Sequence, residues 1–77
     1  MNKQRRKALA NLNDRINALK DELEWVLSEE QEAFDNIPEN LQGSERHEQA
    51  SNAVEALEEA VEHLANAQEY IVAVIEE

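Results

Sequence analysis

The sequence predicts an all-α protein, an antiparallel helical hairpin that pairs with a second copy as a four-helix bundle. Apolar residues recur in alternating steps of three and four on both halves of the chain, the heptad spacing of helices that pack side by side. The single Pro and single Gly, Pro38 and Gly43, stand close together at the centre, where the chain must reverse. These observations predict one domain over residues 1–77, with a helix over about 3–35, a structured turn over about 36–43 and a helix over about 44–76.

The first helix is predicted from one apolar stripe, with no Gly or Pro between residues 2 and 36. Position a holds Leu9, Ile16, Leu23, Glu30 and Ile37, and position d holds Leu12, Leu19, Val26 and Ala33. Leu27 and Phe34 widen the stripe toward position e, and we expect Leu27 to contribute to the dimer interface. At about 1.5 Å per residue, this helix is about 50 Å long.

The second helix has a wider apolar face. Position a holds Val54, Val61, Gln68 and Ile75, position d holds Ala50, Leu57, Leu64 and Ile71, and position g holds Ala53, Ala60, Ala67 and Val74. A two-stranded seam needs only positions a and d, so the third row indicates more than one neighbouring helix. Because the residues at g are mostly small and allow close approach, we expect them to form the dimer interface. Glu30 and Gln68 interrupt position a, as polar residues that specify register do.

The central segment contains the signals that stop one helix and start another. Pro38 disfavours helix at Ile37, and Asn36 with Glu39 resembles a capping box for a short turn over 37–42. Gly43 suits a left-handed position, and Ser44 is the expected cap of the second helix. We expect a structured turn plugged by apolar side chains, the alternative being a loop that binds a partner. The predicted turn residues are Phe34, Asn36, Ile37, Pro38, Leu41, Gly43 and Ser44.

Charge is distributed unevenly along the chain. Residues 1–20 carry six basic side chains and one acidic one, whereas residues 21–77 carry 17 acidic side chains and one basic one, Arg46. The formal net charge of −11 repels nucleic acid and anionic membranes, so we expect neither as a direct partner. In a hairpin the basic start lies beside the acidic end, which accounts for it without a ligand. No apolar run predicts a signal peptide or a membrane span, and there is no Cys, so a cytoplasmic location is expected.

Acidic residues form a row at position b of the second helix. Its members are Glu48, Glu55, Glu62, Glu69 and Glu76, which recur every seven residues. The row is either a solvated face or a ridge that binds a basic protein surface, and in the second case it could mimic nucleic acid. Trp25 falls at position c, beside the apolar stripe, where it would serve a dimer interface, anchor a foreign partner or pack over its own hairpin.

The stretch EEQEAFDNIPENLQGSER, residues 29–46, resembles the centre of small acidic proteins from phages and prophages of Gram-positive bacteria. Those proteins combine a basic start, an E-E-x-E-A-[FY]-D-N-[ILM]-P-E-x-[IL]-Q-x-S-E-R centre and an acidic, alanine-rich final helix. The resemblance covers about a quarter of the chain in specific residues. It implies a phage accessory protein in the cytoplasm of a bacterial host, and it supplies no catalytic residues.

The residues do not predict an enzyme, a cofactor or a metal site. A di-iron bundle needs Glu-x-x-His on its helices, and neither His47 nor His63 has a Glu three residues earlier. Glu59 and His63 are spaced i, i+4 on the second helix and could hold a metal ion only weakly. The sequence has neither a Gly-rich phosphate loop nor a Cys nucleophile.

The function expected from these features is non-enzymatic. The chain would be a phage or prophage accessory protein that binds and modulates or inhibits a host or defence-system protein with a basic surface. An anti-restriction or anti-CRISPR inhibitor is one version of this hypothesis. The alternative is a self-assembling structural component, a coiled-coil scaffold without a host target.

Overall fold

Two long helices lie side by side in the computed structural model, which describes residues 1–77. Helix α1 spans Lys3–Asp35 and helix α2 spans Glu45–Glu76, with a single 3₁₀ turn at Glu39–Leu41 between them. The predicted all-α hairpin is confirmed, with helix bounds that agree with those expected. The Cα atoms extend over 59 × 15 × 13 Å, so the molecule is a rod that is only two helices thick.

The N-terminus of α1 is capped by Asn2. Its Oδ1 accepts a hydrogen bond from the Arg5 backbone N–H at 2.8 Å, which satisfies one of the free donors of the first turn. The first turn contains no acidic residue to complement the positive end of the helix dipole.

Helix α1 ends at Asn36 rather than passing through Pro38. The Asn36 N–H still donates to the Glu32 carbonyl at 3.0 Å, so Asn36 closes α1 from a backbone conformation of φ −90°, ψ 2°. An N-cap needs an extended backbone. The expected Asn36–Glu39 capping box was therefore wrong: Pro38 precedes the 3₁₀ turn, which has no side-chain cap.

The start of α2 follows the sequence prediction closely. Gly43 has φ +86°, the left-handed conformation that favours glycine. Ser44 Oγ then accepts a hydrogen bond from the His47 N–H at 3.3 Å, and Glu45 and Glu48 lie in the first turn. The Phe34 and His47 rings also meet across the turn, with centroids 4.8 Å apart.

The rotation of α1 about its axis differs from the expected heptad seam. The half-buried side chains of α1 come from positions a and e, with Gln31 at position b as the one exception. They are Arg6, Leu9, Asn13, Ile16, Lys20, Leu23, Leu27, Glu30, Gln31 and Phe34. The d residues Leu12, Leu19 and Val26 are exposed. The contact of Phe34, an e residue, with His47 holds α1 in this rotation at the turn. The a/d stripe of α1 is therefore divided, with its a row against α2 and its d row uncovered.

The core of the hairpin is small. Only Ile37 and Val54 are buried, each with 7% of its surface exposed. Ile37 plugs the turn, as predicted, whereas Phe34 is half-buried and Leu41 is exposed. Most apolar side chains are covered on one side only, because each helix has a single neighbour.

Candidate interaction surfaces

The acid row lies along the outer side of α2. Glu48, Glu55, Glu62, Glu69 and Glu76 are all exposed, and none of them accepts a side-chain hydrogen bond. Arg46 is the only basic residue of α2, apart from its two histidines. The row spans about 42 Å at about 1.5 Å per residue, so it presents exposed carboxylates over most of the rod. Two of them, Glu69 and Glu76, share a groove with Lys20 of α1.

Trp25 stands out from α1 beside the apolar stripe, as its c position indicated. Its side chain is 71% exposed, and its Nε1–H donates to Glu29 Oε1 at 3.1 Å, one helical turn along. An exposed indole already held by a hydrogen bond loses little rotational freedom when it is covered. This geometry suits a residue that contacts another molecule, because the hairpin itself leaves the Trp25 indole uncovered.

An apolar surface, termed here the open face, runs along one side of the rod. It is formed on α1 by Leu12, Leu19 and Val26, whose exposed fractions are 43%, 60% and 46%. On α2 it is flanked by the half-buried g row of Ala53, Ala60, Ala67 and Val74. Leu27, which was expected at a dimer interface, lies instead in the row that faces α2.

The open face and a groove occupy opposite sides of the hairpin. The groove is lined by Asn13, Lys20, Ala65, Gln68, Glu69, Val72, Ala73 and Glu76. Among these, Asn13, Lys20, Ala65 and Val72 are e residues of their helices, and in an antiparallel pair the e sides of both helices point the same way. The d row of α1 and the g row of α2 therefore share the other side.

One hydrogen bond crosses the groove between the helices. Gln68 Nε2 donates to Asn17 Oδ1 at 3.2 Å, joining the two helices near the middle of the rod. Sequence reasoning singled out Gln68 as a polar residue in the stripe but did not find Asn17. The available signal was the pair of amides Asn13 and Asn17, which fall at positions e and b beside the α1 stripe.

The open end of the hairpin brings the basic start of α1 near the acidic end of α2. None of the side-chain hydrogen bonds joins these two groups directly. Within each helix the charges oppose the dipole, because bases lie at the positive end of α1 and Glu76 at the negative end of α2. The basic start of α1 and the acidic end of α2 therefore attract each other without a specific hydrogen bond. This attraction acts against the unfavourable interaction of each group with the dipole of its own helix.

No group of three or more His, Cys, Asp or Glu side chains is placed to hold a metal ion. None of the helices is both long and apolar enough to cross a membrane. Two polar atoms, Arg6 Nε and Asn13 Oδ1, are covered and have no hydrogen-bond partner, although both side chains are only half-buried.

The fold and these surfaces define a class, a helical hairpin with an acidic side and an uncovered apolar side. No protein-family model, curated protein or solved structure matches the chain.

Proposed function

We propose that this chain is a non-enzymatic binding protein whose acidic outer side engages a basic surface of another protein. The observation that carries the proposal is the acid row of α2, which is exposed along its whole length and accepts no side-chain hydrogen bond, on a helix whose only Lys or Arg is Arg46. A surface of this kind attracts basic partners over a Debye length of about 8 Å at physiological salt and speeds their association.

The partner class is a bacterial host or defence protein, and the setting is phage or prophage. This part rests on the resemblance of residues 29–46 to small acidic phage proteins. Occupation of a basic nucleic-acid site is the version most suited to a rod of carboxylates. A single row spaced at about 10.5 Å is sparse beside DNA, which carries a phosphate on each strand every 3.4 Å or so. Glu58, Glu59, Asp14, Asp21 and Asp35 would have to supply further charge.

The test is affinity capture from nuclease-treated bacterial lysate with the wild type and two variants. The triple variant Glu55→Gln, Glu62→Gln, Glu69→Gln removes the centre of the acid row, and Trp25→Ala removes the exposed indole. The control, Glu24→Gln with Glu32→Gln, removes two exposed carboxylates of α1 that lie outside the proposed binding surface. We expect a protein retained by the wild type and the control, and lost with the triple variant.

The captured protein is then challenged with duplex DNA. Competition by DNA supports occupation of a nucleic-acid site, and its absence points to another basic surface. If no protein is recovered, or if the control variant loses it as readily as the triple variant, the acid row is not a binding surface.

A self-assembling structural component remains the second candidate function, and the open face favours it. This candidate predicts that substitutions in the Ala53, Ala60 and Ala67 row change the size of the assembly, and that no other protein is captured from lysate.

A further inference from the structure

The open face leaves this chain with more surface than a folded monomer of its size normally has. The accessible surface is 6072 Å² for a mass of 8.8 kDa. The scaling of monomeric proteins gives about 4,800 Å² at this mass, so the hairpin exposes about 1,300 Å² in excess. A standard interface buries about 800 Å² on each partner, so one further layer of helices would remove this excess.

We infer that the open face binds a second copy of this chain in an antiparallel arrangement, with α1 against α1 and the two turns at opposite ends of the bundle. A two-fold axis that crosses the rod at Leu19 places Leu19 against its own copy. It also places Leu12 of each copy against Val26 of the other. The three most uncovered aliphatic side chains of α1 then form one symmetric, isologous seam.

The second helix fits the same axis independently. The contacts Asn17–Gln68 and Phe34–His47 place residues 62 to 66 of α2 opposite Leu19. The g row runs from Ala53 to Val74, and its midpoint lies between Ala60 and Ala67, within that interval. One axis therefore passes through the middle of both rows, and the small g residues allow the two α2 helices to approach closely.

Charge selects this arrangement over the alternative in which both turns lie at the same end. Residues 1–20 carry a net charge of +5 and residues 21–35 carry −7. In the antiparallel arrangement the basic half of each α1 lies along the acidic half of the other. With both turns at one end, the −7 segment lies instead along residues 45–59 of the second α2, which hold five acids and one base. The antiparallel α2 pair also repels, because residues 45–59 and residues 60–77 each carry a net charge of −4. That repulsion of −4 by −4 is weaker than the repulsion of −7 by −4 with both turns at one end, and the attraction of +5 for −7 exceeds the attraction of +5 for −4 there.

The antiparallel arrangement also brings two oppositely charged side chains of different copies together. Arg15 and Glu22 occupy the g positions that flank the Leu19 seam, and the two-fold axis brings Arg15 of one copy near Glu22 of the other. Neither residue has an opposite charge three or four positions away in its own helix. Exchange of their charges therefore perturbs the contact between copies without breaking a pair within α1.

The orientation is tested by single-cysteine cross-linking, because the natural chain has no Cys to interfere. In a thiol–disulfide redox buffer, Leu19→Cys should form a disulfide-linked dimer. Leu12→Cys alone should not, because its two copies lie about 21 Å apart along the rod. A mixture of Leu12→Cys and Val26→Cys should again cross-link. Cross-linking of Leu12→Cys with itself, or none at Leu19→Cys, would overturn the arrangement.

Sedimentation equilibrium on the full chain tests the association itself. We expect a dimer, weakened about 100-fold or more by Leu19→Glu, which places two unpaired charges at the axis. Val72→Glu, on the groove side, is the matched control and should leave the dimer intact.

Arg15→Glu and Glu22→Arg should each weaken association by about three- to tenfold, and the double exchange should restore it. A monomer at millimolar concentration, or no restoration, would reject the inference. The acid row and Trp25 lie off the open face, so this result and the capture experiment can fail separately.

Discussion

At the scale of single residues, the turn is held by side chains whose chemistry is readable from the sequence. Gly43 occupies a left-handed conformation with φ +86°, and Ser44 caps α2 directly after it. Two adjacent residues therefore set where the chain reverses and where the second helix starts.

Replacement of Gly43 by Ala should destabilise the hairpin by about 1–2 kcal/mol, because an L side chain strains a left-handed backbone. No atom lies within 4 Å of the added Cβ, so the backbone alone is responsible. Gly43→Asn should cost less, since Asn tolerates this conformation. Urea unfolding followed by circular dichroism measures both. Equal losses for Ala and Asn would show that the left-handed conformation is not the cause.

Ser44→Ala should lower stability by about 1 kcal/mol, because the His47 N–H loses its acceptor. Ser44→Asp is the matched control, since a carboxylate accepts the same bond and also complements the helix dipole. An unchanged unfolding midpoint for Ser44→Ala would argue against the cap.

Ile37→Ala should be among the most damaging single truncations, with a loss of about 3 kcal/mol, because Ile37 is one of only two buried side chains. Leu41→Ala, in the same turn but exposed, should cost less than about 1 kcal/mol. Comparable losses at the two positions, in the same urea series, would contradict the packing of the turn.

At the scale of helices, the a and e rows of α1 pack along α2, and two specific side-chain contacts mark the register of the pair. The Asn17–Gln68 hydrogen bond lies near the middle of the rod, and the Phe34–His47 contact lies at the turn. Both contacts are compatible with one antiparallel register, and both lie on the side of α1 that faces α2.

A double-mutant cycle with Asn17→Ala and Gln68→Ala should give a coupling of about 0.5–1 kcal/mol, the net contribution of one partly exposed hydrogen bond. Asn66→Ala provides the comparison, because Asn66 is exposed and makes no side-chain hydrogen bond. Asn17→Ala and Asn66→Ala should be additive in chemical denaturation. A coupling near zero for Asn17 and Gln68 would show that the bond does not hold the register.

Much of this could be predicted from the sequence, namely both helices, the turn, the cap, the left-handed Gly43 and the outward Trp25. The rotation of α1 could not. Its apolar stripe spans positions d, a and e, which is wider than one neighbouring helix covers, so periodicity alone leaves the choice of seam open. Asn17, the partner of Gln68, was missed for a related reason, because an amide beside a stripe faces solvent in one rotation of the helix and the other helix in another.

At the scale of the whole molecule, shape and charge act against each other. A rod two helices thick buries only two side chains, which favours association through the open face. Each copy carries a net charge of −11, which opposes association in any orientation. The distribution of that charge then decides which orientation is least costly.

Association should strengthen as salt rises, because screening at about 0.5 M reduces the Debye length to a few Å and weakens the repulsion between copies. Sedimentation at low and high salt measures this effect. The variant with Glu55, Glu62 and Glu69 changed to Gln carries three fewer negative charges, so it should associate more tightly at low salt and depend less on salt. The opposite result would be a dimer affinity that falls as salt rises, by the same amount in the wild type and in this variant. It would indicate that attraction at the Arg15–Glu22 pair outweighs the repulsion between copies.

The exposed indole has a practical consequence for optical measurements. Trp25 is the sole tryptophan and is 71% exposed, so its emission should resemble that of indole in water whether the chain is folded or unfolded. Fluorescence would then respond poorly to denaturation. A shift of the emission to shorter wavelength in a mixture would instead report that another molecule has covered this side of α1.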